Sequence, residues 1–257
     1  MSDDASVSLD ELADYLADYL AIDEVSDYGP NGIQVEGPEK IGKIVTGVSA
    51  CEELFQEAGR RGADAVLVHH GIFWSGMPYE LTGVQYRRVE HLIRERIALL
   101  AYHLPLDRHE EVGNNAVACR RLGLVDLEPF GDHEGTSIGW RGRFPEAVSF
   151  RSFVESCHRL YGREPLAFGA DDASITEIGI ISGGAQKEFH GAIAAGLDAF
   201  VTGEVSEWVM NLARESGVGF VSAGHYATER LGVQVLGDHL AERFGLEVEY
   251  VEVPNPV

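Results

Sequence analysis

Hydrophobic positions near the start of the chain fall at helical spacing. Leu9, Leu12, Leu16, Tyr19 and Leu20 recur behind Ser8, and Glu11 stands where a capping box places its acid. The spacing predicts an amphipathic helix there. Gly29-Pro30-Asn31-Gly32 marks a turn, and the apolar runs Ile33 to Val35 and Ile41 to Val48 predict strands. Cys51 to Arg61 returns to helical spacing and Gly62 ends it. Ala65 to Val68 then has no polar position, as expected of a strand buried on both faces. Strand, helix, strand in this order is the grammar of a parallel α/β sheet.

The unit recurs further along. Lys43 to His70 can be laid without gaps on Glu177 to Glu204, and Gly62-Ala63-Asp64-Ala65 falls on Gly196-Leu197-Asp198-Ala199. Each copy runs through a further helix into a second apolar strand, Ile97 to Ala101 in one and Val218 to Ser222 in the other. A histidine follows each strand: His103-Leu-Pro-Leu-Asp107 in the first copy, His225-Tyr-Ala-Thr-Glu229 in the second. Generic βαβ units share apolar strands and helix-ending glycines, so chance likeness stays open beside duplication. Between the copies, Asn114 to Leu122 and Ser149 to Tyr161 are helical, while Thr136 to Phe144 and Pro165 to Phe168 read as strands. The expected fold is α/β: two similar lobes from an internal duplication, residues 1–126 and 127–257, with mixed sheets flanked by helices.

Charge narrows the partners. The 257 residues include 42 acidic and 20 basic side chains, a net charge of -22, and only Lys40, Lys43 and Lys187 are lysines. Such a surface suits very high salt, where self-repulsion is screened, and points to a halophilic cytoplasm. It argues against nucleic acid as the main partner, since phosphate binding needs clustered basic residues. No apolar run reaches the roughly 20 residues of a membrane-spanning helix, and MSDDASVSLDEL lacks the features of a signal peptide. A cytoplasmic location is expected. Cys51, Cys119 and Cys157 are odd in number and widely spaced, so neither a disulfide framework nor a Cys-x-x-Cys metal knuckle can be drawn.

Ligands in open α/β sheets gather at the carboxyl ends of strands. Four such ends stand out: His69-His70-Gly71, His103 to Asp107, Thr202-Gly203-Glu204, and His225 to Glu229. Their imidazoles and carboxylates, with no sulfur, suit borderline or hard divalent metals. Two cations roughly 3.5 to 4 Å apart repel unless acids bridge them. Asp107 and Glu229 are therefore the natural bridges, and His69, His70 and His225 the terminal ligands. A water or hydroxide held between the ions would be a nucleophile at neutral pH, with His103 as proton carrier or as a support for Asp107. Each motif also has a bland reading. Neighbouring strand residues alternate faces, so one of His69 and His70 could face the core. Pro105 argues for a loop rather than a helix through His103 and Asp107. Thr228 and Glu229 could simply open a helix. Glu204 and Glu207 read as supporting, substrate-facing or intersubunit groups, and Gly183-Gly184 as a tight turn more than an anion cradle. The other histidines, His91, His109, His133, His158, His190 and His239, read as surface or packing residues.

DAVLVHHGIFW, AYHLPLDRH with the later GNNAVAC, DAFVTGEVSE and SAGHYATERLGV, in this order, resemble the NIF-three-like dinuclear-metal hexamer family, often labelled GTP cyclohydrolase I type 2. The resemblance runs from about Asn31 to Gly237. It implies two α/β lobes with a pair of metals in the cleft between them, and a homohexameric ring whose sites face a central cavity. The ligands it implies are His69, His70, Asp107, His225 and Glu229, with His103 beside the metals; the ions would be two of iron, manganese or zinc. Some relatives carry a histidine shortly after the Thr-Gly-Glu step, where this chain has Trp208. The function implied is a metal-dependent hydrolase acting on GTP or another nucleotide or phosphate substrate. Arg108 and Arg230 are the candidate phosphate contacts. The alternatives are a metal-trafficking or assembly protein and a metal-stabilised scaffold.

Overall fold

The computed structural model describes residues 5–257. The chain divides into two compact units: residues up to Leu106 together with Val233–Pro254, and Asp107–Gly232 together with Asn255–Val257.

In the first unit, Ser8 caps helix Leu9–Leu20 by accepting the Glu11 N–H at 3.1 Å, and Leu9, Leu12, Leu16 and Leu20 form its buried face. The sheet has five strands in the order Glu247–Tyr250, Lys43–Ser49, Ala65–His70, Ala98–Ala101, Gly32–Val35. The first four run parallel and the last is antiparallel. Leu54 and Phe55 of helix Glu52–Arg60 and Leu92 of helix Gly83–Glu95 pack with Val45, Val66, Val68 and Leu99 of the sheet. The single strand expected over Ile41 to Val48 is in fact two. Lys40–Ile41 pairs with Val7–Ser8, and Lys43–Ser49 joins the sheet. The Gly42 and Lys43 N–H groups turn instead to the Asp64 carboxylate, at 2.8 and 2.9 Å, which breaks the run. A division at 126/127 assigns Glu247–Tyr250 to the second lobe; its pairing with Lys43–Ser49 puts it in the first sheet.

The second unit holds a six-stranded sheet in the order Val125–His133, Thr136–Ser149, Ser174–Ile180, Ala199–Thr202, Gly219–Ser222, Leu166–Phe168. The three strands from Ser174 to Ser222 are mutually parallel and the others antiparallel to their neighbours. Phe189, Phe200 and Phe220 centre its core. Strand Val125–His133 does not follow from the pattern, because Pro129 and Gly131 interrupt it. Proline is tolerated on an edge strand, and this strand is one. Its hairpin closes through Glu134 and Gly135, both at positive φ (50° and 90°), the geometry of a two-residue turn matched to strand twist.

The aligned stretches are wired alike inside their units. Asp198 accepts the Thr176 and Glu177 N–H groups at 2.7 and 2.9 Å, as Asp64 accepts those of Gly42 and Lys43. The Asp64 and Asp198 carbonyls accept from Ala98 and Gly219, the first residues of the next strands. Gly62 and Gly196 close the preceding helical segments at φ 68° and 70°. In both units, the last of the parallel strands, Ala98–Ala101 or Gly219–Ser222, has an antiparallel partner beyond it.

Candidate metal centre

In the first unit, strand Ala65–His70 ends on its two histidines. Strand alternation does not keep them apart at this end: their rings lie 4.7 Å apart. His103 follows strand Ala98–Ala101, with its ring 4.9 Å from His69 and 5.5 Å from His70. One ring nitrogen from each of the three lies within 4.8 Å of the others, near the roughly 3 to 4 Å between ligands each about 2 Å from one ion. The segment after His103 is not a loop. Leu104–Arg108 is a short helix with Pro105 at its second position, where the first turn tolerates a missing N–H.

Each of these imidazoles has an oxygen at Nδ1. That of His69 is 3.0 Å from the Tyr102 carbonyl, that of His70 is 3.2 Å from Ser49 Oγ, and that of His103 is 2.6 Å from Asp27 Oδ1. A carbonyl or carboxylate can only accept, so His69 and His103 carry their proton on Nδ1 and keep Nε2 as the electron-pair donor. Oxygen partners of this kind fix the tautomer and orientation of metal-binding histidines. The Asp27 carboxyl is 4% exposed. Burial works to raise its pKa, but hydrogen bonds from His103, Asn31 and Leu104 outweigh that and hold it below the ordinary carboxylate value. Sequence reading had no signal for Asp27 beyond its place ahead of a turn.

In the second unit, Asp107 and Glu229 are 6% and 2% exposed, and they bring oxygens within 4.8 Å of each other. Asp107 Oδ1 accepts from Asn114 Nδ2 at 2.9 Å and Ser182 Oγ at 2.8 Å. Asn114 also accepts the Gly232 N–H at 2.6 Å, and Asn115 accepts the Ser182 N–H at 2.8 Å. Both asparagines are fully buried: Asn114 braces the Asp107 carboxylate directly, and Asn115 holds the Asp107 carbonyl and the Ser182 backbone. Their spacing behind Asp107 was visible in the sequence, but their role was not. Helix His225–Thr228 starts after Gly224, at φ 94°. Its His225 has Nδ1 2.7 Å from Glu204 Oε1 and Nε2 3.2 Å from Glu229 Oε1. The Glu229 hydrogen bond comes first among the causes that lift the His225 pKa to about 9; desolvation opposes it, and Glu204 adds to it.

Gly183 is no anion cradle, because it faces carboxylate: at φ 66°, a Cβ on it would lie 2.3 Å from Glu229 Oε1 and 3.2 Å from His225 Nε2. Arg230, a candidate phosphate contact, donates instead to the Tyr161 carbonyl. His239 stacks on Tyr19 with centroids 4.4 Å apart, and His190 on Trp208 at 5.0 Å, both as packing residues.

The donor sets fit divalent metal. Imidazoles and buried carboxylates with no thiolate among them suit borderline or hard divalent cations. A glycine at 183 leaves the space beside Glu229 and His225 open.

Fold and residues together define an α/β protein whose histidine, aspartate and glutamate groups can hold metal ions. The chain belongs to the Duf34/NIF3 (NGG1p interacting factor 3) family, whose profile matches residues 7–256. It is 44% identical over 251 residues to a Pseudomonas aeruginosa protein named "GTP cyclohydrolase 1 type 2 homolog", covering 98% of this chain and 99% of that one. Among solved structures, it is similar to protein ybgI, of unknown function, with a TM-score of 0.90 and 39% identity, covering 98% of this chain and all of that one. It is also similar to TTHA1606 from Thermus thermophilus, with a TM-score of 0.87 and 37% identity over 98% of this chain and 100% of the other. Among the described residues, no helix is long and apolar enough to cross a membrane.

Proposed function

We propose that this protein is a dinuclear-metal-dependent hydrolase acting on a nucleotide or other phosphate-bearing substrate, and that it assembles as a homohexameric ring. His69, His70, Asp107, His225 and Glu229 hold two divalent ions, and His103 carries protons. The observation that supports this reading best is the division of labour among the donors. Imidazoles with oxygen-held Nδ1 atoms offer neutral Nε2 ligands, and buried Asp107 and Glu229 offer the negative charge that paired cations require. Bound ions would supply Lewis acidity and a water acidic enough to ionise near neutral pH. The chain's own residues do the rest. Asn114 and Ser182 orient Asp107, Glu204 orients His225, and His103 moves a proton at Nε2. The name carried by the Pseudomonas relative suggests GTP as the first substrate to try.

Metal analysis with anomalous scattering, followed by a panel of nucleotides and phosphodiesters at high salt, tests this reading. It expects two ions per subunit and metal-dependent turnover that His103→Ala abolishes while leaving the ions bound. Fewer than about one ion per subunit in protein never exposed to chelator would overturn it. The alternative is that the ions are cargo delivered to a client protein. That alternative expects full metal loading, transfer to an acceptor, and no turnover anywhere in the panel.

A further inference from the structure

The turn that opens at Asp27 does more than connect helix Leu9–Leu20 to strand Gly32–Val35. Asp27 Oδ1 sits 2.6 Å from His103 Nδ1 and accepts the Tyr28 N–H at 2.6 Å. Its Oδ2 accepts the Leu104 N–H and Asn31 Nδ2, both at 2.9 Å. Asn31 in turn accepts the His103 N–H at 2.8 Å. One carboxylate and one amide thus hold both the backbone and the ring of His103. The ring is enclosed by His69, His70, Trp74 at 5.1 Å and Tyr28 at 6.1 Å, and its side chain remains 17% exposed. A histidine held on one nitrogen and walled on its faces has a single nitrogen left for exchange.

We propose that Asp27 is the positioning residue of His103: it fixes the Nδ1–H tautomer, so that Nε2 is the lone-pair nitrogen presented beside His69 and His70. The inference rests on the proposed role of His103 as proton carrier. It gives that role a direction, since Nδ1 is engaged by the carboxylate and Nε2 is the nitrogen left to act. Asp27 touches neither substrate nor metal in this scheme and acts only through the imidazole.

The substitution Asp27→Asn separates positioning from simple capping. Asparagine has one acceptor where aspartate has two. Leu104 N–H and Asn31 Nδ2 both need an acceptor on the far side, whereas the near side holds one fixed donor, the Tyr28 N–H, and a ring that can change tautomer, so the new amide is expected to turn its NH2 group toward His103 Nδ1. That nitrogen then has to accept, and the proton moves to Nε2. Solid-state NMR of metal-free protein labelled with 15N and 13C in histidine reads the tautomer directly, with His103 assigned from its loss in His103→Gln. The wild type is expected in the Nδ1–H form, Asp27→Asn in the Nε2–H form, and Asp27→Ser, which retains a cap for Leu104 but no acceptor for the ring, as a mixture. A wild-type Nε2–H tautomer overturns the proposal. So does an Nδ1–H signal that persists in either variant, which is what a purely structural cap predicts. Metal content, measured separately on loaded protein, is expected to stay at the wild-type level in both variants. Failure of the two-ion reading and failure of this one are therefore seen in different experiments.

Discussion

At the scale of single residues, Gly183 and His225, both beside Glu229, carry measurable consequences. Gly183 and Gly217 both adopt left-handed backbone, at φ 66° and 76°, so alanine at either costs about 1 kcal/mol in strain. Only at Gly183 would the new methyl fall within 2.3 Å of a Glu229 oxygen; at Gly217 it meets nothing within 4 Å. Gly183→Ala is expected to lose bound metal, and Gly217→Ala to keep it with a similar fall in stability. Elemental analysis beside a denaturant titration distinguishes them, and equal metal content in the two variants would count against the proposed ligand set. His225 adds a pH dependence. Its pKa of about 9 in the metal-free fold lies above the unfolded value near 6.5, so its contribution to stability is full below about pH 6.5 and is lost as pH rises through 9. An ion taking Nε2 must displace that proton, so apparent metal affinity should rise by up to about tenfold per pH unit between 7 and 9. Removing one of the two carboxylates that hold the charge, by Glu204→Gln, should move the plateau to lower pH. Competition titrations with a chromophoric chelator across this range measure both effects.

At the scale of elements, the strand-helix-strand segment of each compact unit is tied down by one aspartate. Asp64 and Asp198 each accept two backbone N–H groups at the start of a neighbouring strand. Alanine at either leaves two donors to find water or go without, at about 1 to 3 kcal/mol. Asp64→Ala and Asp198→Ala should lower the urea midpoint by similar amounts with an unchanged m-value; a loss at only one of them would mean that the likeness of the two units stops at sequence. The same aspartates explain what the sequence could and could not disclose. Gapless alignment found them because Gly-x-Asp-Ala is short-range chemistry: a left-handed glycine, a side-chain cap, then an apolar strand. The parallel strands, helix Leu9–Leu20 and the histidines at strand ends were legible for the same reason, since periodicity and end position are local. The edge strand Val125–His133 was not, because Pro129 masks it and its position in the sheet excuses the proline. Nor was Asp27, whose partner His103 lies 76 residues away. The bracing by Asn114 and Asn115 was hidden in the same manner, since its partners Ser182 and Gly232 are 67 and 118 residues distant. Contacts made over such separations leave no periodic trace.

At the scale of the whole molecule, the question is how a chain of net charge -22 keeps its fold and would meet the copies of itself that the proposed ring requires. Among the described residues, the lysine and arginine ion pairs lie at the surface, such as Lys43 with Glu247 and Glu249, or Arg87 with Glu52, and each is worth between nothing and about 1 kcal/mol. Salt weakens these attractions and the acidic self-repulsion alike, but acids outnumber bases two to one, so repulsion is the larger loss. Raising KCl from about 0.1 M to 1 M shortens the screening length from about 10 Å to about 3 Å. The melting temperature should therefore rise with KCl, and an uncharged osmolyte series recorded alongside separates screening from general exclusion. Association should follow the same course. Met77, Tyr79, Leu81, Val84 and Tyr86 expose apolar surface in a stretch where Glu80 is the single acid. Contact through such a surface gains from burial whatever the salt, whereas the acids elsewhere on two approaching copies resist it until they are screened. Light scattering in molar KCl is expected to give a particle of six 28.0 kDa subunits, dissociating as salt is removed. Tyr79→Glu together with Leu81→Glu should favour the monomer without lowering the melting temperature of the subunit, because Tyr79 is fully exposed and Leu81 46% exposed in the single chain. A monomer at every salt concentration would remove the ring from the proposal, and a melting temperature that falls as KCl rises would show that attraction, not repulsion, governs this surface.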